Sequence, residues 1–229
     1  MNAKKISAAL AVAVFSLGSI ARVSAQQFVL GGTGFVADQL ILGTTSGTIT
    51  LDTSMGEINS DHGFNQGWWS GTEGNSLQND NVFTGSDGSD LLNDFNAFDL
   101  SSLAGAKVTS ATLVLFEGGD SGAGPFNLSF WDVSTPLATL VNTAGTSTAI
   151  YNDLGSGVQY GSLAYAGGAA SIDVTLNAAA LASINGGGTG GYFAVGGTLT
   201  QSGSAPDAGT TLGLLGMSAS CLFGLRRKK

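Results

Sequence analysis

Four carboxylates crowd into one short stretch, Asn79 to Asp94 (NDNVFTGSDGSDLLND), at Asp80, Asp87, Asp90 and Asp94. Carboxylates mixed with Asn side chains and backbone carbonyls are hard oxygen donors, the ligands that calcium takes. The stretch is not an EF-hand, because the ligand spacing and the closing Glu are missing. Gly85, Gly88, Asp90 and Leu92 fit one copy of a calcium-binding nonapeptide, but such sites need stacked turns from several copies. The expectation is either a structural Ca2+ held by these four Asp or an acidic loop left to solvent, with no cofactor required.

A second stretch imitates a nucleophile. GGDSGAGP, Gly118 to Pro125, contains the Gly-Asp-Ser-Gly found around the serine of trypsin-like proteases, which would make Ser121 reactive. That chemistry needs a histidine base within hydrogen-bond reach and an acid to orient it. The one histidine is His62, in NSDHGF, without that family's Ala-Cys context and only 59 residues upstream. Gly, Asp and Ser are also ordinary turn residues, so the octapeptide is expected to be a hairpin turn. His62 has no second His or Cys in the body with which to share a transition metal, and reads as a solvated residue.

Trp68 and Trp69, in GWWSG, would point to opposite faces of an extended strand. One would pack inward, and the other would offer a flat apolar face on which a sugar ring stacks. Paired carboxylates for glycoside hydrolysis are available in number, but nothing marks a particular pair. The sequence is therefore read as non-catalytic, with carbohydrate binding through an exposed Trp as the alternative and polysaccharide hydrolysis as a third reading.

These residues need a scaffold, and the pattern points to many short strands. The chain has 36 Gly and only three Pro, with apolar runs between turn signals. The clearest strand is KVTSATLVLFE, Lys107 to Glu117, and its expected hairpin partner is FNLSFWDV, Phe126 to Val133, with Phe126, Leu128, Phe130 and Asp132 on one face. Further strands are expected at Gly47 to Leu51, Asn81 to Thr84, Phe95 to Leu100, Ser171 to Leu176 and Tyr192 to Leu199. One short helix is signalled, with Asn177 as its cap, AAALASI as its body and Asn185-Gly186 as a left-handed stop. The fold class is all-β, an antiparallel β-sandwich of jelly-roll type with one short helix near the end of the body.

Charge narrows the partners. Between Gln26 and Pro206 there are fifteen Asp or Glu against one base, Lys107, a formal charge of −14. Nucleic-acid binding rests on Lys and Arg neutralising phosphates, so it is excluded, and so is an anionic membrane surface for the body. The single cysteine, Cys221, lies outside the body, which therefore holds together without a disulfide.

Both ends carry targeting features. Residues 1–25 combine Lys4 and Lys5, an apolar stretch from Ala8 to Ile20 and small residues at Val23, Ser24 and Ala25, the form of a signal peptide cut after Ala25 by signal peptidase. Residues 204–229 hold the polar motif APDAGTT, an apolar run from Leu212 to Leu225 and the basic cluster Arg226, Arg227, Lys228 and Lys229. Positive charge resists translocation and holds that end in the cytoplasm. A fourteen-residue helix rises about 21 Å against a hydrocarbon core of about 30 Å, which suits transient inner-membrane anchoring. The division is thus 1–25 signal peptide, 26–203 β-sandwich body and 204–229 sorting signal.

The order of motif, short apolar helix and basic cluster resembles the PEP-CTERM class of sorting signals. Pro206, Asp207, Ala208, Gly209 and Thr210 resemble its Pro-Asp-Ser-Gly variant, with Ala205 where Val is usual and Ala208 where Ser is common. The resemblance implies cleavage by a membrane-embedded exosortase in a bacterium that has an outer membrane and makes exopolysaccharide. The body is similar to a group of exported proteins with such tails, through FDLSSLAGAKVTSATLVLFEGG from Phe98, WDVSTPLATL from Trp131, YNDLGSGVQYGS from Tyr151, LNAAALASINGG from Leu176 and GWWSGTEGNSLQNDNVFTG from Gly67. This implies fold and export alone. The expected product is an exported cell-surface or extracellular-matrix protein with a structural or interaction role, associating with exopolysaccharide through divalent cations.

Overall fold

The computed structural model describes residues 28–32, 36–58, 63–75, 81–116, 119–121, 124–169 and 171–201. The leader, His62, Asp80 and the sorting signal lie outside the described residues. Twelve strands are described. They are β1 (Phe28–Gly32), β2 (Gln39–Thr44), β3 (Gly47–Asp52), β4 (Gln66–Ser70), β5 (Val82–Ser86), β6 (Leu91–Asp99), β7 (Val108–Phe116), β8 (Gly119–Ser121), β9 (Phe126–Asp132), β10 (Gln159–Tyr165), β11 (Ser171–Thr175) and β12 (Tyr192–Gln201).

The strands form two antiparallel sheets, so the chain is an all-β sandwich. The larger sheet runs β10-β9-β12-β6-β5-β1-β8, with β4 also paired to β6, and the smaller runs β11-β7-β2-β3. Leu40, Leu113, Leu115 and Val174 from the small sheet meet Phe98, Phe126, Leu128, Phe130 and Phe193 from the large one in a shared core. Each such side chain contributes about 1.5 to 3 kcal/mol by leaving water.

The expected strands recur, but the expected pairing of the two clearest does not. β7 lies in the small sheet between β2 and β11, whereas β9 lies in the large one between β10 and β12. The register shows why: Leu113 stands opposite Leu40 on one side and Val174 on the other, while Leu128 stands opposite Leu163 and Leu199. Apolar neighbours on both edges outweigh closeness along the chain. β7 and β9 therefore do not close a hairpin but lie in different sheets, and Gly119–Ser121 between them form β8, which pairs with β1.

The large sheet is buried on its other face as well. Two helices, α1 (Leu137–Asn142) and α2 (Thr148–Asp153), lay Leu137, Leu140, Val141 and Ile150 against Trp69, Phe95 and Ala97. Neither helix is signalled in the sequence, because six residues are too few to show a helical period. The helix that is signalled, α3 (Ala178–Asn185), starts as expected, with Asn177 Oδ1 accepting from Ala179 N at 2.9 Å and Ala180 N at 3.2 Å. Its stop differs: Gly186 stays right-handed at φ −79°, and the left-handed residue is Gly187 at φ +87°. Asn185 instead bridges to β7, accepting from Val108 N and donating to Val108 O, both at 2.9 Å.

Candidate functional site

The acidic stretch divides into two environments. Asp87 and Asp90 close the turn between β5 and β6, where Asp87 N donates to Asp90 O at 3.2 Å. Asp87 Oδ1 accepts from Ser89 N, Ser89 Oγ and Asp90 N at 2.7 to 2.8 Å, which holds this exposed carboxylate below its ordinary range. Asp90 accepts from Ser70 Oγ, from Thr72 Oγ1 at 2.7 Å and from Leu91 N at 2.8 Å. What burial it has works against the charge, but these donors prevail and hold its pKa at about 2. The turn carboxylates thus already have protein donors around them.

Asp94 lies in the interior. On β6, Phe98 belongs to the core between the sheets, while Phe95 and Ala97 belong to the core under the helices. Alternation therefore puts Asp94 and Asn96 on the side that faces the small sheet. Asp94 is 1% exposed, and neither Oδ1 nor Oδ2 has a hydrogen-bond partner; Asn96 is equally buried, with Oδ1 and Nδ2 both unpartnered. Burial pushes the Asp94 carboxyl up to about 7, opposed by the Gly197 N–H, which closes no hydrogen bond of normal geometry to it.

A second acid reaches the same region from the small sheet. Asp38 precedes β2 and is 2% exposed. Its Oδ1 accepts from Phe116 N at 2.8 Å, and its own N–H donates to Gln66 Oε1 at 3.2 Å. Burial pushes its carboxyl up to about 8; the Phe116 N–H opposes this, and the nearby charge of Asp94 adds to it. Gln66 also accepts from Thr53 Oγ1 at 2.5 Å and stands directly opposite Asn96 across the β4–β6 ladder. Asp38 is thus joined to Gln66 through its N–H, and Gln66, Asn96 and Asp94 share the face of β4 and β6 that looks toward the small sheet.

The sequence pointed to Asp94 but to none of its three neighbours. The signal for Asn96 was available, since NDFNAF places polar residues at the inward positions of an otherwise apolar strand. Asp38 carried no local signal. Among the described residues, no three His, Cys, Asp or Glu side chains converge as a metal-binding group. Asp87 and Asp90 stay at the turn, which ends at Leu91, and β6 then carries Asp94 inward; Asp80 lies outside the described residues.

The remaining candidates are placed as follows. Trp69 is fully buried beneath the helices, which removes it as a sugar platform. Trp68 is half-buried, with its ring edge-on to Phe83 at 6.3 Å. Ser121 lies in β8, opposite Val29 of β1. Its neighbour Asp120 has a fixing role: Oδ2 accepts from Tyr165 Oη at 2.7 Å and Gly168 N at 2.5 Å, and these donors keep the carboxyl below its ordinary range. An open cleft of about 480 Å³ lies over the large sheet beside α2, with Asn93, Tyr151, Asn152, Thr198 and Thr200 among its lining. Among the described residues, no helix is long and apolar enough to cross a membrane.

Residues 206–229 match the VPDSG-CTERM motif, a sorting signal of the PEP-CTERM kind. The match covers Pro206 to Thr210 and the basic cluster, and it supports export to the cell surface or extracellular space. A comparison with curated proteins finds no match.

Proposed function

We propose that this chain is a non-catalytic surface or matrix protein, anchored briefly in the inner membrane, cut by an exosortase near Pro206, and associated with anionic exopolysaccharide through divalent cations. The observation that carries this reading is the sorting motif at 206–229 behind a body with fifteen acids and one base. A polyanion is repelled by such a body unless cations lie between them. Asp87, Asp120 and Asp173 are exposed; the donors that hold Asp87 and Asp120 keep those carboxylates charged for such a bridge.

Intact-mass analysis of envelope and medium fractions, with and without the exosortase, tests the first half. A chain that starts at Gln26 and ends near Pro206 in the outer fraction, and that keeps its tail when the exosortase is removed, is the expected result. Co-sedimentation with the host's exopolysaccharide tests the second half: binding should appear with millimolar calcium and vanish with EDTA. Binding that survives EDTA and is lost in Trp68→Ala would favour direct glycan recognition instead, for which the half-exposed Trp68 and the polar cleft beside α2 offer surfaces.

A further inference from the structure

We propose that the sandwich holds one divalent cation of the calcium type between its two sheets, coordinated by the carboxylates of Asp94 and Asp38 and by Asn96 Oδ1, with Gln66 as the positioning residue for Asp38. This site is separate from the surface contact proposed above and does not depend on it.

The unmet polar atoms lead to it. Native interiors pair nearly all their buried polar groups, yet Asp94 Oδ1 and Oδ2 and both polar atoms of Asn96 are buried without a partner. The three oxygens among them, Asp94 Oδ1 and Oδ2 and Asn96 Oδ1, belong to one face of one strand, two residues apart, and are the atoms an ion engages; Asn96 Nδ2 is a donor and is not met by a cation. Asp38 leads into β2 of the other sheet. Its carboxylate is held by Phe116 N, and its N–H reaches Gln66, which itself faces Asn96.

Two carboxylates removed from water need opposite charge or protons, and one divalent ion supplies both units of charge. The named donors are all oxygen, with no His or Cys among them, which selects calcium or magnesium over zinc or copper. Gly197 lies opposite Asp94 on β12, and a Cβ there would fall on the Asp94 carboxylate, so the missing side chain makes room for the carboxylate itself. A strand position left without a side chain commonly marks such a close approach.

The test uses the exported chain purified from its host, stripped with EDTA and then given calcium or magnesium at matched ionic strength. One calcium per chain by elemental mass analysis is expected, with a melting temperature that rises with calcium; at tenfold excess over Kd, the folded-to-unfolded ratio grows roughly elevenfold. Asp94→Asn should lose the metal and the calcium response while it stays folded, since it removes charge and keeps shape. Asp38→Asn serves the same purpose if that variant misfolds. Glu73→Gln, on the exposed stretch after β4, should keep one calcium. The proposal is overturned if the wild-type chain takes up no calcium, if Asp94→Asn and Asp38→Asn retain it, or if Glu73→Gln abolishes it. Melting that ignores calcium but falls from pH 5 to pH 9 also overturns it, because the two carboxyls then hold protons in place of a metal.

Discussion

Gly197 and Asp94 form a close residue-level fit between two strands of the large sheet. The carboxylate occupies the volume that any larger residue at 197 would need, so Gly197→Ala forces either Asp94 or β12 to move. Overpacking of this kind costs about 1 to 3 kcal/mol. The cost should depend on the carboxylate, which makes the pair suitable for a double-mutant cycle by chemical denaturation. Gly197→Ala is expected to be markedly less harmful in an Asp94→Ala background, with a coupling above about 0.5 kcal/mol. Additive effects would mean that the alanine methyl clashes with something other than Asp94. Trp69 marks the opposite extreme: its ring fills the second core, and its Nε1 is buried without a partner. Its ring packs in that core against side chains from the helices above it.

At the scale of elements, one acid ties together the helices over the large sheet. Asp153, at the end of α2, accepts from Ser134 Oγ at 2.7 Å, Ser134 N at 3.1 Å, Thr135 N at 2.8 Å and Thr135 Oγ1 at 2.7 Å. It thereby ties α2 to the turn that leads into α1. Burial opposes its charge, but the donors of Ser134 and Thr135 outweigh it and hold the carboxyl below its ordinary range. A lowered folded pKa gives stability that is present above the unfolded value of 3.8 and lost as pH falls through the folded one. Asp153→Ala should therefore cost about 1 to 2 kcal/mol at pH 7, and urea denaturation should show the gap to wild type closing below about pH 4. A gap that does not change with pH would mean that the carboxylate charge is not what holds the turn. The same elements show what the sequence reveals. The start of α3 was legible because Asn177 is a cap with a local partner, and β7 and β9 were legible because their apolar residues alternate. The pairing of β7 with β2 was not, since it depends on which apolar faces meet across the sheet. α1 and α2 were hidden for a related reason: they are short segments stabilised by Trp69 and Phe95 below them. The buried polar residues come from β4, β6 and the approach to β2, so only Asp94 could be read from one stretch of chain.

For the whole molecule, the imbalance of charge decides how the fold answers to salt. Fifteen acids against one base leave Lys107 as the only Lys or Arg in the body. In most proteins, added salt weakens attractive pairs and repulsions together, and the net effect is mixed. Here repulsion dominates, because nearly every charge in the body has the same sign. The screening length falls from about 30 Å at 0.01 M to about 10 Å at 0.1 M, so distant carboxylates stop repelling one another over that range. Sodium chloride should raise the melting temperature steadily across it, even after EDTA treatment, and the rise should level off once the screening length is shorter than the spacing between acids. Calcium added at fixed ionic strength should then produce a further, saturable rise if it acts by binding and not by screening. Scanning calorimetry of the exported chain, in both titrations, separates the two contributions. A melting temperature that falls with sodium chloride would show that attractive contacts involving Lys107 or backbone dipoles outweigh the repulsion among the acids, and the body would then have less need of cations to approach a polyanion.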